Sequence, residues 1–327
     1  MCNVVDYAWS NTWLLRITGN AVYGDRVERD VFNAGPGGIA PDFKSHVYYL
    51  SPNRIDATHP AKPGAGGLTS YAPKQQPLCC TGNLSRLLPN YVGSMWMASA
   101  DGGFAATLYG PCIASVSVDG TKIRLETQTD YPFGSDITVK IAADQPREFP
   151  LYLRLPSWCQ KPLLTINGEP REIRDTNGFA LLKQTWKTGD IIRLSLPMEG
   201  RVASGRCADG APYTSVTYGP LLFALPIPIL NNDLNTPDTT FPFQYALQPG
   251  SAIKVAHHPM PLPWSWDKAP LQLTIKSEAV TFGANFALPK QPVAATGEPL
   301  TELTLRPFGA TAFRISMFAL AKPETTK

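Results

Sequence analysis

Apolar residues recur every three to four positions at the start of the chain and every two positions after about residue 102, and this change of period divides the sequence. Over residues 2–17, Val5, Ala8, Trp9, Thr12 and Leu15 fall at helical spacing, and Gly19 follows as a natural stop. A second amphipathic stretch covers about 21–34, with Val27, Val31 and Phe32 on one side. A third helix is expected over roughly 82–98, from the spacing of Leu84, Leu87, Leu88, Tyr91, Met95 and Trp96, with a kink at Pro89. Between the second and third helices lies a long loop holding Gly35-Pro36-Gly37-Gly38, Ser51-Pro52-Asn53 and Lys62-Pro63-Gly64-Ala65-Gly66-Gly67. A loop of that length in a compact domain is usually functional.

Beyond residue 102 the alternation predicts strands at 104–109, 113–118, 122–127, 137–141, 151–155, 163–166, 179–182 and 191–196. Asp119-Gly120, Asn167-Gly168, Asn177-Gly178 and Gly189-Asp190 separate them. Asn-Gly and Asp-Gly favour tight hairpins because both central residues accept positive φ. Short strands at this spacing suggest an antiparallel sandwich. After about residue 200 a second β region is expected, with strands at 213–224 (interrupted by Gly219-Pro220), 271–275, 279–282, 303–305 and 313–318, and an irregular middle at 226–270 rich in Pro and Asn. The fold class is therefore mixed: α first, then all β, divided into 1–98, 99–200 and 201–327.

Composition narrows the functional classes. At 327 residues, and roughly 150 residues per domain, two or three domains are expected. Hydrophobic residues at 43% and charged residues at 17% exclude a wholly disordered chain. A net charge of +3 is too balanced for recruitment to nucleic acid or a membrane surface by bulk charge. No apolar run reaches the roughly 18 residues of a membrane span. The first residues lack the basic-then-apolar pattern of a signal peptide, and a helical pattern that begins without a cap leads us to expect a piece of a longer protein. Localisation and oligomeric state are not legible.

The six cysteines are Cys2, Cys79, Cys80, Cys112, Cys159 and Cys207. Neighbouring Cys79 and Cys80 cannot form an unstrained disulfide with each other. They end the long loop and precede a helix, with Thr81 as a candidate cap. Thiols at a helix N-terminus are more acidic, and a thiolate is both a nucleophile and a soft-metal ligand. The plain alternative is two buried thiols acting as small hydrophobes. Cys112 and Cys159 lie in or beside strands and read as core; Cys207 sits in a turn. His46, His59, His257 and His258 lack metal-site spacing and read as solvated loop residues. Trp264 and Trp266 read as packing between β layers, or as platforms for sugar rings. Gly64-Ala65-Gly66-Gly67 lacks the Lys-Ser/Thr and preceding strand of a phosphate loop.

Several segments resemble glycoside hydrolase family 127, the β-L-arabinofuranosidase family. Cys2-Asn3-Val4-Val5 with Leu14-Leu15-Arg16-Ile17-Thr18-Gly19 is similar to the family helix carrying a Glu-x-Cys zinc motif. Tyr23-Gly24-Asp25-Arg26-Val27-Glu28-Arg29 and Phe32-Asn33-Ala34 continue it, and Tyr49-Leu50-Ser51-Pro52 resembles a segment that contributes an active-site tyrosine. Cys79-Cys80-Thr81-Gly82-Asn83-Leu84-Ser85-Arg86-Leu87 is similar to the family's double-cysteine motif. Leu153-Arg154-Leu155-Pro156-Ser157-Trp158, Tyr218-Gly219-Pro220-Leu221 and Leu305-Arg306-Pro307-Phe308-Gly309 resemble its β-domain signatures. The resemblance runs nearly end to end, onto the family's C-terminal half.

The resemblance implies an (α/α)6 barrel, of which 1–98 would be the last helices, followed by two antiparallel β-sandwich domains. It implies hydrolysis of terminal β-linked L-arabinofuranose, in L-arabinofuranosides or related plant-type glycans, with retention of configuration. It implies a zinc ion held by one Glu and by Cys2, Cys79 and Cys80, with Cys79 as nucleophile and Tyr49 binding substrate. The ligand Glu would stand two residues before Cys2, and the general acid/base Glu further upstream, so both fall outside this sequence. We therefore expect a hydrolase whose C-terminal part alone is inactive. Two other readings stay open: a non-catalytic carbohydrate-binding or accessory β protein, and a redox protein using Cys79 and Cys80.

Overall fold

A computed structural model describes residues 1–57, 69–75, 78–261, 268–294 and 299–322. His59, the Gly64–Gly67 run, Trp264 and Trp266 lie outside the described residues. Helix α1 (Cys2–Thr18) buries Val5, Ala8, Thr12 and Leu15 of the predicted stripe but leaves its Trp9 exposed, and stops at Gly19, whose φ of 62° is the left-handed turn of a helix end. Helix α2 (Val22–Arg29) starts where Asn20 Oδ1 accepts the Val22 N–H at 3.0 Å. It runs on through a π-helical turn (Asp30–Ala34) into the single turn α3 (Gly35–Gly37).

Helix α4 (Cys79–Val92) departs from expectation at both ends. It begins three residues earlier than predicted, so both paired cysteines lie in its first turn. Thr81 is thus inside the helix and not its cap. At the other end, Gly93 N–H closes on the Pro89 carbonyl at 2.9 Å and the chain leaves the helix, so Trp96 and Met97 belong to a strand.

The first β region carries β1 (Trp96–Ala98), β2 (Phe104–Ala106), β3 (Cys112–Val118), β4 (Thr121–Thr129), β5 (Asp136–Ala143), β6 (Arg147–Arg154), β7 (Leu163–Ile166), β8 (Glu169–Pro170), β9 (Asp175–Thr176), β10 (Phe179–Trp186) and β11 (Ile191–Ser195). They form two sheets, in the orders β1-β2-β6-β10-β9 and β3-β4-β5-β11-β7-β8. Alternation works as predicted in β4, where Thr121, Ile123, Leu125 and Thr127 are buried while Lys122 and Arg124 are exposed. Asp119 and Gly120, with φ of 44° and 83°, turn β3 into β4 as a tight hairpin. Gly189-Asp190 does not make such a hairpin: β10 and β11 on either side lie in different sheets. The pairing is antiparallel except between β2 and β6, which run parallel.

The second β region carries β12 (Gly200–Arg206), β13 (Pro212–Tyr218), β14 (Leu221–Ile227), β15 (Tyr245–Leu247), β16 (Ile253–His257), β17 (Leu271–Ala279), β18 (Thr301–Pro307), β19 (Phe313–Ile315) and β20 (Phe318–Leu320). Their pairings run β13-β20-β15-β17-β18-β14, and β14 pairs back to β13, so the ladder closes on itself. Here too one pair, β15 with β20, is parallel. Three expectations are corrected. The stretch 226–270, expected to be irregular, holds β15 and β16. The strand predicted at 279–282 is only the end of β17, and 313–318 breaks into β19 and the start of β20 at Ser316 and Met317, whose N–H groups both donate to Asn53 Oδ1 at 2.9 Å.

Contacts group the chain into two compact units. One comprises Met1–Cys2, Phe32–Leu84 and Glu199–Lys327; the other comprises Asn3–Val31 and Ser85–Met198. In the second of these, Glu28 and Arg154, both wholly buried, form an ion pair. Arg154 also reaches Asp25 Oδ1 at 2.5 Å, and Tyr131 donates its hydroxyl to Glu28 at 2.6 Å. Gly24 is required beside them: a Cβ there would stand 2.6 Å from the Arg154 side chain. Among the described residues, no helix is long and apolar enough to cross a membrane.

Candidate functional site

Helices α1 and α4 both begin with cysteine, and their first residues meet. The sulfurs of Cys2, Cys79 and Cys80 all lie within 4.8 Å of one another, and Cys2 Sγ donates to Cys80 Sγ at 3.4 Å. None of the three is in a disulfide. Burial grades across the cluster: Cys80 is 1% exposed, Cys2 is half-buried and Cys79 is exposed. A shell of Met1, Ala40, Val47 and Tyr71 packs around Cys80, so one side of the cluster is apolar and the Cys79 side is open. Among the described residues, no carboxylate or histidine joins the three thiols.

The long loop supplies the surroundings. The Met1 amino nitrogen donates to the Tyr48 carbonyl at 2.7 Å. The Tyr48 hydroxyl and Cys79 interact electrostatically, and the Tyr48 ring meets that of Tyr49 edge-on at a centroid distance of 4.9 Å. Tyr49, the tyrosine singled out from sequence, is 56% exposed beside it. Farther along, the loop is pinned by Arg54, which is buried and donates to the carbonyls of Ala312 (2.7 Å) and Thr69 (2.5 Å) while lying over the rings of Tyr71 and Phe313. This part of the loop is therefore tied to the second β region through Arg54.

The cluster polarises its own thiols. Burial, reinforced by hydrogen bonds to Cys79 and Cys80, pushes the Cys2 thiol up to about 12. The hydrogen bond from Cys2, helped by Cys80 and Tyr48, holds the Cys79 thiol below its ordinary value. Between these two thiols, negative charge is thus favoured on the exposed Cys79 sulfur over Cys2. Burial and the neighbouring Cys79 raise the Tyr48 hydroxyl, which keeps its proton as a donor.

The donor set fits a soft divalent cation. Zinc–sulfur bonds of roughly 2.3 Å in tetrahedral geometry put ligand sulfurs roughly 3.8 Å apart. Three thiols already within 4.8 Å need little movement to reach that spacing.

His46, expected to be a solvated loop residue, is instead buried. It is 6% exposed, with Nε2 3.0 Å from Thr81 Oγ1 and Nδ1 3.1 Å from the Val47 carbonyl. No local pattern marks it, because its partner lies 35 positions away. His257 and His258 are exposed as expected, His257 at the end of β16. Cys112 and Cys159, expected in the core, are only half-buried, because Cys112 is the first residue of β3 and Cys159 lies between β6 and β7, and like the half-buried Cys207 they stand outside the thiol cluster.

Comparison with known proteins places the chain in a family. The family model described as "Beta-L-arabinofuranosidase, GH127 catalytic domain" matches residues 1–93, and "Beta-L-arabinofuranosidase, GH127 middle domain" matches residues 103–198. No curated protein matches the chain. Among solved structures, a GH127 beta-arabinofuranosidase superposes with a TM-score of 0.74 at 22% identity over 97% of this chain and 48% of its own. A GH127 beta-L-arabinofuranosidase from Geobacillus stearothermophilus T6 gives 0.70 at 20% identity, over 96% and 48%. A structure described as a glycoside hydrolase gives 0.76 at 21% identity, over 98% and 52%. The chain spans about half the length of these structures, and at such identity they establish a shared fold. Two domain models of one family, in tandem over more than half of the sequence, establish the rest: the chain belongs to glycoside hydrolase family 127.

Proposed function

We propose that this chain carries the nucleophile side of a retaining glycoside hydrolase of the β-L-arabinofuranosidase type. The observation that carries the proposal is Cys79, the exposed member of three converging thiols, inside the segment matched by the family's catalytic-domain model. Its substrates would be β-linked L-arabinofuranosides or related plant-type glycans. In the same reading, 1–98 are the closing helices of an (α/α)6 catalytic barrel, and 99–200 and 201–327 are two β-sandwich domains that follow it in the chain.

Retention requires two displacements at one carbon. The Cys79 thiolate attacks the anomeric carbon and the glycosidic oxygen leaves with a proton from an acid. A water then attacks the same carbon, loses its proton to that group and frees the sulfur. Cys79 suits the first step because it is the open thiol of the cluster and is held below its ordinary value. The Tyr48 hydroxyl interacts electrostatically with the sulfur, while Tyr49 presents an exposed ring and hydroxyl for the sugar.

Cys2, Cys79 and Cys80 would hold the zinc ion, with Cys80 anchored in the apolar shell. When bound, such an ion keeps its thiols deprotonated near neutral pH. The acid is a different matter. No carboxylate stands with the thiols among the described residues. We propose that the acid and the fourth ligand are carboxylates of the part of the family fold that this chain, spanning about half the length of the matching structures, does not cover, and that turnover belongs to the longer polypeptide.

The test is hydrolysis of an aryl β-L-arabinofuranoside by the longest natural polypeptide containing this chain. Cys79→Ala should lower kcat by roughly 10³-fold or more. Cys112→Ala, outside the cluster, should leave it unchanged. A Cys79→Ala enzyme with normal kcat would refute the mechanism, and retained arabinoside binding without turnover would favour a sugar-binding protein.

A further inference from the structure

His46 bonds to the turn that carries the paired cysteines, and we propose that it is the positioning residue of the thiol centre, acting through Thr81. The proposal deepens the functional reading above and rests on it for the role of the thiols.

The direction of the hydrogen bonds follows from the partners. A carbonyl only accepts, so the contact from Nδ1 to the Val47 carbonyl at 3.1 Å places the ring proton on Nδ1. In the Nδ1–H tautomer Nε2 carries a lone pair, and the Thr81 hydroxyl donates to it at 3.0 Å. Elsewhere in this protein a helical threonine turns its hydroxyl back onto its own helix, as Thr12 does to Ala8 at 2.9 Å and Thr18 to Leu14 at 2.7 Å. Thr81 sits in the first turn of α4 and reaches out to His46 instead.

His46 cannot follow that turn if it shifts. Its N–H donates to the Ala72 carbonyl at 3.1 Å, and its own carbonyl accepts from Ala72 N–H at 3.1 Å and from Gln75 Nε2 at 2.7 Å. Gln75 is itself wholly buried. Two residues later, the Tyr48 carbonyl takes the hydrogen bond from Met1 at the start of α1, and Val47 between them is buried against Met1 and Cys80. Three consecutive residues thus hold both helix starts. His46 holds α4 beside Cys80, Tyr48 holds α1 beside Cys2, and Val47 fills the space between. A helix turn advances about 100° per residue, so a small rotation of the first turn of α4 would carry the Cys80 sulfur away from Cys2. The His46–Thr81 bond is what opposes that rotation.

The experiment compares Thr81→Val, which keeps the side-chain shape and removes the hydroxyl, with Thr81→Ser, which keeps the hydroxyl. Each full chain is titrated with Co²⁺ and followed by the thiolate-to-cobalt charge-transfer band. Cys80 labelling by iodoacetamide without metal is followed in parallel by mass spectrometry, with thermal unfolding as a control for folding. We expect Thr81→Ser to match the wild type. Thr81→Val should bind Co²⁺ about 10–100-fold more weakly, as for loss of a group that orients a ligand, and its Cys80 should label several-fold faster. Equal affinity and labelling in Thr81→Val and wild type would overturn the proposal, as would Thr81→Ser falling with Thr81→Val. A wild-type chain that gives no cobalt band would overturn the metal reading of the centre, and the labelling comparison would then decide the role of His46 by itself.

Discussion

Cys79 and Cys80 are neighbours with opposite environments, and the difference comes from one turn of helix. Adjacent positions point about 100° apart, so Cys80 faces the apolar shell while Cys79 faces outward. The chemistry follows from the exposed sulfur. Its acidity is enhanced by hydrogen bonding from Cys2, and that of Cys2 is suppressed by burial. The metal-free protein should therefore alkylate at Cys79 first. Its rate should rise with pH and reach half-maximum below the roughly 8.5 of an ordinary thiol. Cys2, with its thiol pushed up to about 12, should stay unlabelled from pH 6 to 9 on the same mass-spectrometric readout. A Cys79 profile centred above 9 would contradict the charge distribution described here. The two cysteines stood out in the sequence because a vicinal pair before a helix is unusual. Cys2 carried no such local signal and was assigned only through the family resemblance, because its partners lie 77 and 78 positions away. Tyr48 and Tyr49 could not be ranked by spacing, since neighbours in an irregular segment have no fixed faces.

At the scale of elements, the segments that carry the family resemblance turn out to be each other's partners. Asp25 and Glu28 of the α2 segment meet Arg154 of the β6 segment, and Asp25 also accepts the Ser157 N–H at 3.0 Å. Asn33 donates to the Pro220 carbonyl at 3.0 Å and accepts from Leu222 N–H at 2.7 Å. A buried ion pair of this kind is costly to break from one side, because the remaining charge is left without a counterion. Arg154→Leu should lower unfolding free energy by about 3–5 kcal/mol in urea denaturation, and adding Glu28→Gln should recover part of that loss. A double variant no more stable than Arg154→Leu would mean the pair is not what holds this region. Strand positions were legible because β4 and its neighbours bury alternate residues, and hairpins were legible where both turn residues accept positive φ. Helix α4 was set too late because its first turn is marked by packing around the thiols and not by a capping side chain. The break at Ser316 and Met317 was hidden because Asn53, 263 and 264 positions away, takes both N–H groups.

For the molecule as a whole, the change from helical to alternating period was the clearest signal in the sequence, and the α-then-β order follows it. The closure of the second β region was not legible, because it depends on pairing between β13, β14 and strands a hundred residues further on. The thiol centre has the same character: it draws on both ends of a 78-residue span, and it exists only when α1, the long loop and α4 are folded together. In the proposal above, these three thiols form one metal-holding centre. The direct measurement is the zinc content of the purified chain, after zinc loading and removal of excess, for the wild type and for Cys2→Ser, Cys79→Ser, Cys80→Ser and Cys112→Ser. A single equivalent of zinc in the wild type and in Cys112→Ser, lost or strongly reduced in each of the other three, is the predicted result. A wild-type chain without zinc, or zinc that survives Cys80→Ser and Cys2→Ser unchanged, would contradict it.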